Sequence, residues 1–179
     1  LGDRAQIYIN KKLIGTVYIN ESLDIQITAK KGDILTVLCE NMGRANFGPK
    51  MMRKKGISGR CLLDGRIHFN WDVYPLPMDN LGKLSFNREV PEEKSVFYKG
   101  TFSIEGAAKD TFLRLDNFTK GFVTLNGFNL GRYWEIGPQK TLYVPSGVLK
   151  EGKNEIIVFE SDGIKGECVI EFADVPELG

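Results

Sequence analysis

Apolar and polar residues alternate along most of this chain, and a period of two is the mark of half-buried β-strands. Gln6-Ile7-Tyr8-Ile9, Thr16-Val17-Tyr18-Ile19 and Leu23-Asp24-Ile25-Gln26-Ile27 all carry it. Residues 34–39 are more continuously apolar, which predicts a strand buried on both faces. Lys31-Gly32-Asp33 supplies a turn ahead of it. Asp64-Gly65 lies between Cys61-Leu62-Leu63 and Ile67-His68-Phe69, and predicts a two-residue hairpin. A type I′ turn needs positive φ at both central positions, and this residue pair tolerates it. Further strands are predicted at Val96-Phe97-Tyr98, residues 101–104, 111–115 and 122–125, the last running into Asn126-Gly127. Residues 141–144, 155–160 and 167–172 complete the series, with a single turn at Ser146-Gly147-Val148-Leu149. No segment sustains a helical period, so the fold class is all-β.

The alternation stops at Tyr74-Pro75-Leu76-Pro77-Met78-Asp79-Asn80-Leu81-Gly82, where two prolines and a run of turn residues suit a linker rather than a central strand. The polar patch Pro91-Glu92-Glu93-Lys94 closes this connection. The expected organisation is a first β-sandwich over 1–75, a linker over 76–95 and a second β-sandwich over 96–179.

The two halves share a pattern. Ile7-x-Ile9-Asn10 is followed by Leu13-Ile14-Gly15, and Val123-x-Leu125-Asn126 is followed by Leu130-Gly131. In both, the asparagine precedes the glycine by five positions. Gly32 precedes Glu40 by eight residues, and Gly152 precedes Glu160 by the same interval. One sandwich written twice accounts for this order better than chance does. Strands precede the motif in the second copy, whereas the first copy opens almost directly on it, at Asp3-Arg4-Ala5. The first sandwich is therefore expected to be incomplete at its N-terminus, with an unpaired edge that the rest of a longer polypeptide would cover.

Composition narrows the function classes. The 24 basic and 23 acidic residues leave a formal net charge of +1, which gives no footprint for nucleic acid. The one dense basic cluster, Lys50-Met51-Met52-Arg53-Lys54-Lys55, has no interleaved aromatic series and reads as a solvated loop. Cys39, Cys61 and Cys168 are widely spaced, without a CxxC pair, so neither a zinc site nor a disulfide framework is expected. Cys39 and Cys61 flank apolar runs and are expected to be core thiols, which points to a reducing, cytoplasmic setting. No apolar run is long enough to span a bilayer and no signal-peptide pattern is present. The chain opens at Leu1 without an initiator methionine and is expected to come from something longer. No cofactor and no metal are expected.

The stretch Gly121 to Trp134, with Gly137-Pro138-Gln139, Thr141-Leu142-Tyr143-Val144-Pro145 and Leu149-Lys150-x-Gly152-x-Asn154, resembles the C-terminal β-domain of glycoside hydrolase family 35 β-galactosidases. Asp3-Arg4-Ala5, Glu40-Asn41-Met42-Gly43-Arg44-Ala45-Asn46-Phe47-Gly48, Lys55-Gly56-Ile57 and Asn70-Trp71 extend the resemblance over essentially the whole chain. It implies two jelly-roll-like, galactose-binding-domain-like sandwiches. It implies a parent enzyme that removes terminal β-galactose with retention, through two glutamates on a (β/α)₈ barrel, about 5 Å apart. None of the barrel's motifs is present here, so no catalytic residue carries over and the fragment itself is not expected to be an enzyme. Its expected partners are that barrel and, indirectly, the galactoside; neither nucleic acid nor a membrane is expected, and a homo-oligomer is left open.

Six residues are candidates for contact with sugar or for bordering the substrate entrance. Arg44, Asn46 and Phe47 sit in a polar, glycine-punctuated loop after a strand, and loops carry function. By resemblance this loop lies against the barrel mouth, while its polar residues would equally hydrogen-bond the loop to its own backbone. Arg132 can grip a carboxylate, and Tyr133 and Trp134 can offer flat faces to a sugar ring or fill a core or an interface. The reading that weighs most is a non-catalytic region that packs on the barrel and stabilises it; the alternative is an independent carbohydrate-binding module, which fold alone does not establish.

Overall fold

The computed structural model describes residues 1–87 and 95–179. The polar patch Pro91-Glu92-Glu93-Lys94, and with it part of the expected linker, lies outside the described residues. The chain divides into two compact units, Leu1–Leu81 and Gly82–Gly179. Among the described residues no helix is long and apolar enough to cross a membrane; the only helical pieces are short 3₁₀ turns at Pro49–Met52, Leu81–Lys83 and Ser146–Val148.

In the first unit, β1 (Arg4–Ile9) lies between β2 (Lys12–Tyr18) and β3 (Leu35–Glu40), all antiparallel. Its central place explains why every residue of β1 is buried. Ala5, Ile7 and Val17 form a small core, joined by Leu1, Ile25, Leu35 and Val37. A two-residue ribbon, β4 (Leu62–Leu63) and β5 (Arg66–Ile67), turns at Asp64 and Gly65, with φ of 48° and 75°. Among the described residues this unit holds one three-stranded sheet and this ribbon, not two facing sheets, and β2 and β3 are its edges.

Three expectations fail here for physical reasons. Residues 23–27 form no strand; Ile25 instead packs so tightly on Gly15 that a β-carbon there would meet its Cδ1 at 2.2 Å. The alternation reflects one anchored side chain, not a hydrogen-bonded ladder. β3 is an edge strand rather than one buried on both faces, and Thr36 and Cys39 are exposed. Cys39 is thus not a core thiol, and Cys61 is only half-buried; all three cysteines are free.

The second unit is a sandwich of two antiparallel sheets. One carries β6 (Val96–Ile104), β11 (Gly152–Glu160), β8 (Lys120–Leu125) and β9 (Phe128–Trp134) in that order. The other runs β10 (Thr141–Val144), β7 (Thr111–Arg114), β12 (Glu171–Ala173). Leu113, Phe118, Val123, Leu125, Val144 and Val158 fill the space between them. The two strands expected at 96–98 and 101–104 are one, because Lys99 and Gly100 stay in register with Ile157 and Ile156.

The asparagine turn is built twice. Asn10 and Lys11 take φ of 48° and 71°, and Asn126 and Gly127 take 50° and 82°. Each hairpin slips by one residue at the same distance from its turn, between Ile7 and Tyr8 and between Val123 and Thr124. Each asparagine also latches the start of the third strand. The Asn10 amide donates to Ile34 O at 3.0 Å, its Oδ1 accepts from Ile34 N at 2.9 Å, and its Nδ2 donates to Asp33 Oδ1 at 2.8 Å. Asn126 repeats these bonds with Glu155 O (2.8 Å), Glu155 N (3.0 Å) and Asn154 Oδ1 (2.8 Å), and adds Val148 O at 2.8 Å. The glycine-to-glutamate interval does not mark equivalent places, however. Arg4 pairs with Glu40, whereas Gly121, one residue beyond the matching Lys120, pairs with Glu160.

The latches differ in burial: the one at Asn10 is exposed, while Asn126 joins the fully buried Asn154. Asn126→Ala is expected to lower the unfolding free energy of its unit by about 3 kcal/mol, one for each lost side-chain bond, and Asn10→Ala by about 1 kcal/mol. Urea unfolding of both variants checks this; equal losses would contradict the argument from burial.

Candidate functional site

The six candidate residues fall on different units, three in the loop after β3 and three on β9. The loop over 41–56 is pinned to the N-terminus by Asp3, which the sequence did not single out. Asp3 Oδ2 accepts from Met42 N at 2.9 Å and pairs with Lys55 Nζ at 2.5 Å, while Gly2 and Gly56 exchange backbone bonds of 2.8 and 2.7 Å. Burial works against ionisation of Asp3, but the bonds from Lys55 and the Met42 amide outweigh it and hold this carboxyl below its usual range. Arg44 Nη1 donates to Met51 O and Arg53 O, both at 3.1 Å, and Asn41 Oδ1 accepts from Gly43 N at 2.9 Å. These polar side chains shape the loop itself. Phe47, held at its tip beside the exposed Asn46, is 88% exposed.

β9 separates its three candidates by the alternation of a strand. Tyr133 faces the core and is 7% exposed. Its hydroxyl lies 3.0 Å from Glu160 Oε2 and 2.9 Å from Phe159 O, so its ring is not a sugar platform. Burial first, and then the Glu160 charge, push its phenol far above the ordinary tyrosine range. Arg132 is exposed and grips no carboxylate among the described residues. Trp134 is half-buried, with Lys120 Nζ 5.0 Å from its ring centroid in a cation–π contact.

Glu160 is the buried acid that sequence reasoning left as a strand end. It is fully buried. Its carboxylate accepts from the backbone amides of Thr119 (2.8 Å), Lys120 (3.2 Å), Asp162 (2.7 Å) and Gly163 (3.1 Å), besides the Tyr133 hydroxyl. The one signal was its position between the apolar Ile156-Ile157-Val158-Phe159 and the turn Ser161-Asp162-Gly163, where a carboxylate can close a turn on itself. Its partners among the described residues are structural: backbone amides and the Tyr133 hydroxyl.

Beside this core lies a cleft of about 330 Å³, lined by Trp134, by the buried Phe118 and Tyr133, and by polar side chains that include Arg114, Gln139 and Glu177. It brings together two of the six candidates, Tyr133 in its wall and Trp134. Among the described residues no group of three or more His, Cys, Asp or Glu is placed to hold a metal ion. His68 packs edge-on against Trp71, outside β5, with no nucleophile motif around it.

Comparison with known proteins returns one family for both units. Residues 1–77 match the model described as the first all-beta domain of beta-galactosidase, and residues 95–154 match the model of the beta-galactosidase galactose-binding domain. The chain is 34% identical to Beta-galactosidase 17 of Arabidopsis thaliana, with 96% of this chain and 29% of that protein aligned. It is 38% identical to the Beta-galactosidase-1-like protein of Mus musculus, over 98% of this chain and 29% of that one. Against the Beta-galactosidase of Bos taurus it is 36% identical, over 97% and 31%. The chain thus spans about three tenths of the length of these curated relatives.

Proposed function

The chain belongs to the β-galactosidase family, carrying its first all-beta and galactose-binding domains, and from that premise we propose that it is the part of such an enzyme that packs on and stabilises a separate catalytic barrel. In this reading the barrel supplies the two glutamates and hydrolyses terminal β-galactosides, and the chain contributes surface. The observation that carries it is the uncovered apolar surface of the first unit. Phe47 is 88% exposed, Met52 86%, Val73 83% and Tyr74 77%, while only a few residues of that unit form a core. A water-soluble monomer rarely leaves so many large apolar side chains open, and an interface explains them. The 41–56 loop, with Arg44 holding its shape and Phe47 at its tip, is the element we assign to the border of the substrate entrance. A boundary near Leu81, with the first domain before it, fits the same reading.

Mixing the chain with a separately produced β-galactosidase barrel tests it. The two are expected to melt together, above the midpoint of either alone, and Phe47→Ala is expected to cut that gain by about 1–2 kcal/mol of association free energy. Independent melting at high concentration would rule the scaffold reading out.

A further inference from the structure

The outer edge of β3 is an acceptor for one more strand, and we propose that an extended segment of the parent polypeptide, outside residues 1–179, pairs antiparallel with it. The proposal rests on the reading of this chain as part of a longer β-galactosidase, and it concerns a different surface from the 41–56 loop. The repeat supplies the template. The two latches align Ile34 with Glu155, so β3 corresponds to β11, β1 to β8 and β2 to β9. In the second unit β9 is an outer strand, whereas β11 carries β6 along its whole length, from Gly152 opposite Ile104 to Glu160 opposite Val96. In the first unit, among the described residues, no strand takes that place beside β3. Asn10 engages both the N–H and the C=O of Ile34. Strand alternation therefore turns the backbone groups of Thr36 and Leu38 toward β1 and those of Leu35, Val37 and Cys39 outward. Among the described residues no hydrogen bond reaches these outward groups.

Burial and edge chemistry single out β3. Ile156, Val158 and Glu160, which β6 covers, are 5%, 1% and 0% exposed. Their counterparts Leu35 and Val37 are only half-buried, and Cys39 is exposed. The other edge of the sheet is protected. β2 begins at Lys12, its register slips opposite Ile7 and Tyr8, and Ile25 packs over its Gly15. Lysines, bulges and covering segments are the means by which natural sheets close an edge. β3, Leu-Thr-Val-Leu-Cys-Glu, keeps its register against β1 throughout and carries neither Lys nor Pro. An edge of this kind binds an extended segment through its main chain, with side chains on one face setting the choice. The register of β6 then gives the pattern of the partner. Its residues opposite Val37 and Cys39 lie on the face of Ala5 and Ile7 and are apolar, as Tyr98 packs into the core opposite Val158.

Hydrogen exchange, compared between this chain and the intact parent enzyme, tests the proposal. In the chain alone, the amides of Leu35, Val37 and Cys39 are expected to exchange at least about tenfold faster than those of Thr36 and Leu38; in the parent all are expected to be protected alike. Cys39→Pro removes one outward N–H and is compatible with an edge strand. In the parent it should return Leu35 and Val37 to fast exchange while Thr36 and Leu38 stay protected. Cys39→Lys, which sets a charge against the incoming strand, serves the same purpose if Cys39→Pro lowers the melting midpoint of the chain. Fast exchange of the outward amides in the parent overturns the proposal. So does protection that survives both variants, since a surface that merely covers the edge needs no N–H from it. Protection in the isolated chain that grows with its concentration would give the edge to a second copy, and overturns the proposal as well. The parent is covalently intact in this experiment, so the result is independent of docking by a separate barrel. Joint melting with unprotected β3 amides would sink this proposal alone, and protected amides without joint melting would sink the scaffold reading alone.

Discussion

Gly121→Ala is expected to remove on the order of 4–5 kcal/mol from the second unit. An alanine β-carbon there would stand 1.7 Å from Phe159 O, 2.8 Å from its carbonyl carbon and 2.7 Å from Tyr133 Oη. Two of these atoms are backbone and cannot rotate away. Gly121 also pairs with Glu160 across β8 and β11, and Phe122 with Phe159. The rings of Phe97, Phe122 and Phe159 pack on one another at 4.8–6.3 Å, so the strands cannot separate locally without breaking that cluster. Since domains are stable by about 5–15 kcal/mol, such a loss takes much of the margin. Near-UV circular dichroism and limited proteolysis would report it; a variant that melts like the parent would show that the strands are free to part.

The second large effect is at Glu160. Glu160→Ala leaves a buried cavity and strips the acceptor from the Thr119, Asp162 and Gly163 amides and from the Tyr133 hydroxyl, at an expected cost of about 3–5 kcal/mol. Glu160→Gln should cost less, about 2 kcal/mol, because one oxygen survives while the new N–H₂ faces donors. Tyr133→Phe should cost least, about 1 kcal/mol. The same pair fixes an alkaline limb. The Tyr133 phenol is pushed up in the folded state, so its contribution is whole below about pH 10, where an unfolded tyrosine titrates, and is lost as pH rises beyond that. Melting midpoints between pH 8 and 11 should fall more steeply at the alkaline end for the parent than for Tyr133→Phe. Parallel curves would mean that the phenol is not the group responsible.

How much of this was legible depended on whether the information is local. Asn-Gly and Asp-Gly carry the positive φ of their turns in their own chemistry, so both hairpins could be read directly. The paired Asn10 and Asn126 signatures exposed the repeat for the same reason. Burial was less legible. A continuous apolar run at 34–39 looks the same whether a strand lies in the middle of a sheet or at its edge, and only the pairing of β1 with both β2 and β3 puts β3 outside. Residues 23–27 alternate correctly, yet a strand needs a neighbour, and the sequence does not name one. At the site, Tyr133 and Trp134 look alike as aromatics, and only the pairing of β9 with β8 shows that Tyr133 is the one turned inward. Arg114 and Glu160 were missed because each looks like a surface charge, and their meaning arises from residues up to 63 positions away, such as Glu177 beside Arg114.

The one-residue offset between the two asparagine latches has a consequence for a chain that contains the same hairpin twice. During folding, each hairpin offers the same backbone latch to two third strands, and exchange between them would be an error of assembly. With the latch made, β11 set beside β1 would bring Ser161, not an acid, opposite Arg4. In the reverse exchange, β3 beside β8 would place Cys39 where Glu160 closes its ring of amides. One wrong pairing therefore loses the Arg4–Glu40 ion pair, and the other loses the acceptor of the Thr119, Asp162 and Gly163 amides, although the asparagine's backbone latch is satisfied. The shift acts as an address: it lets one hairpin design be used twice in a polypeptide without the copies being confused.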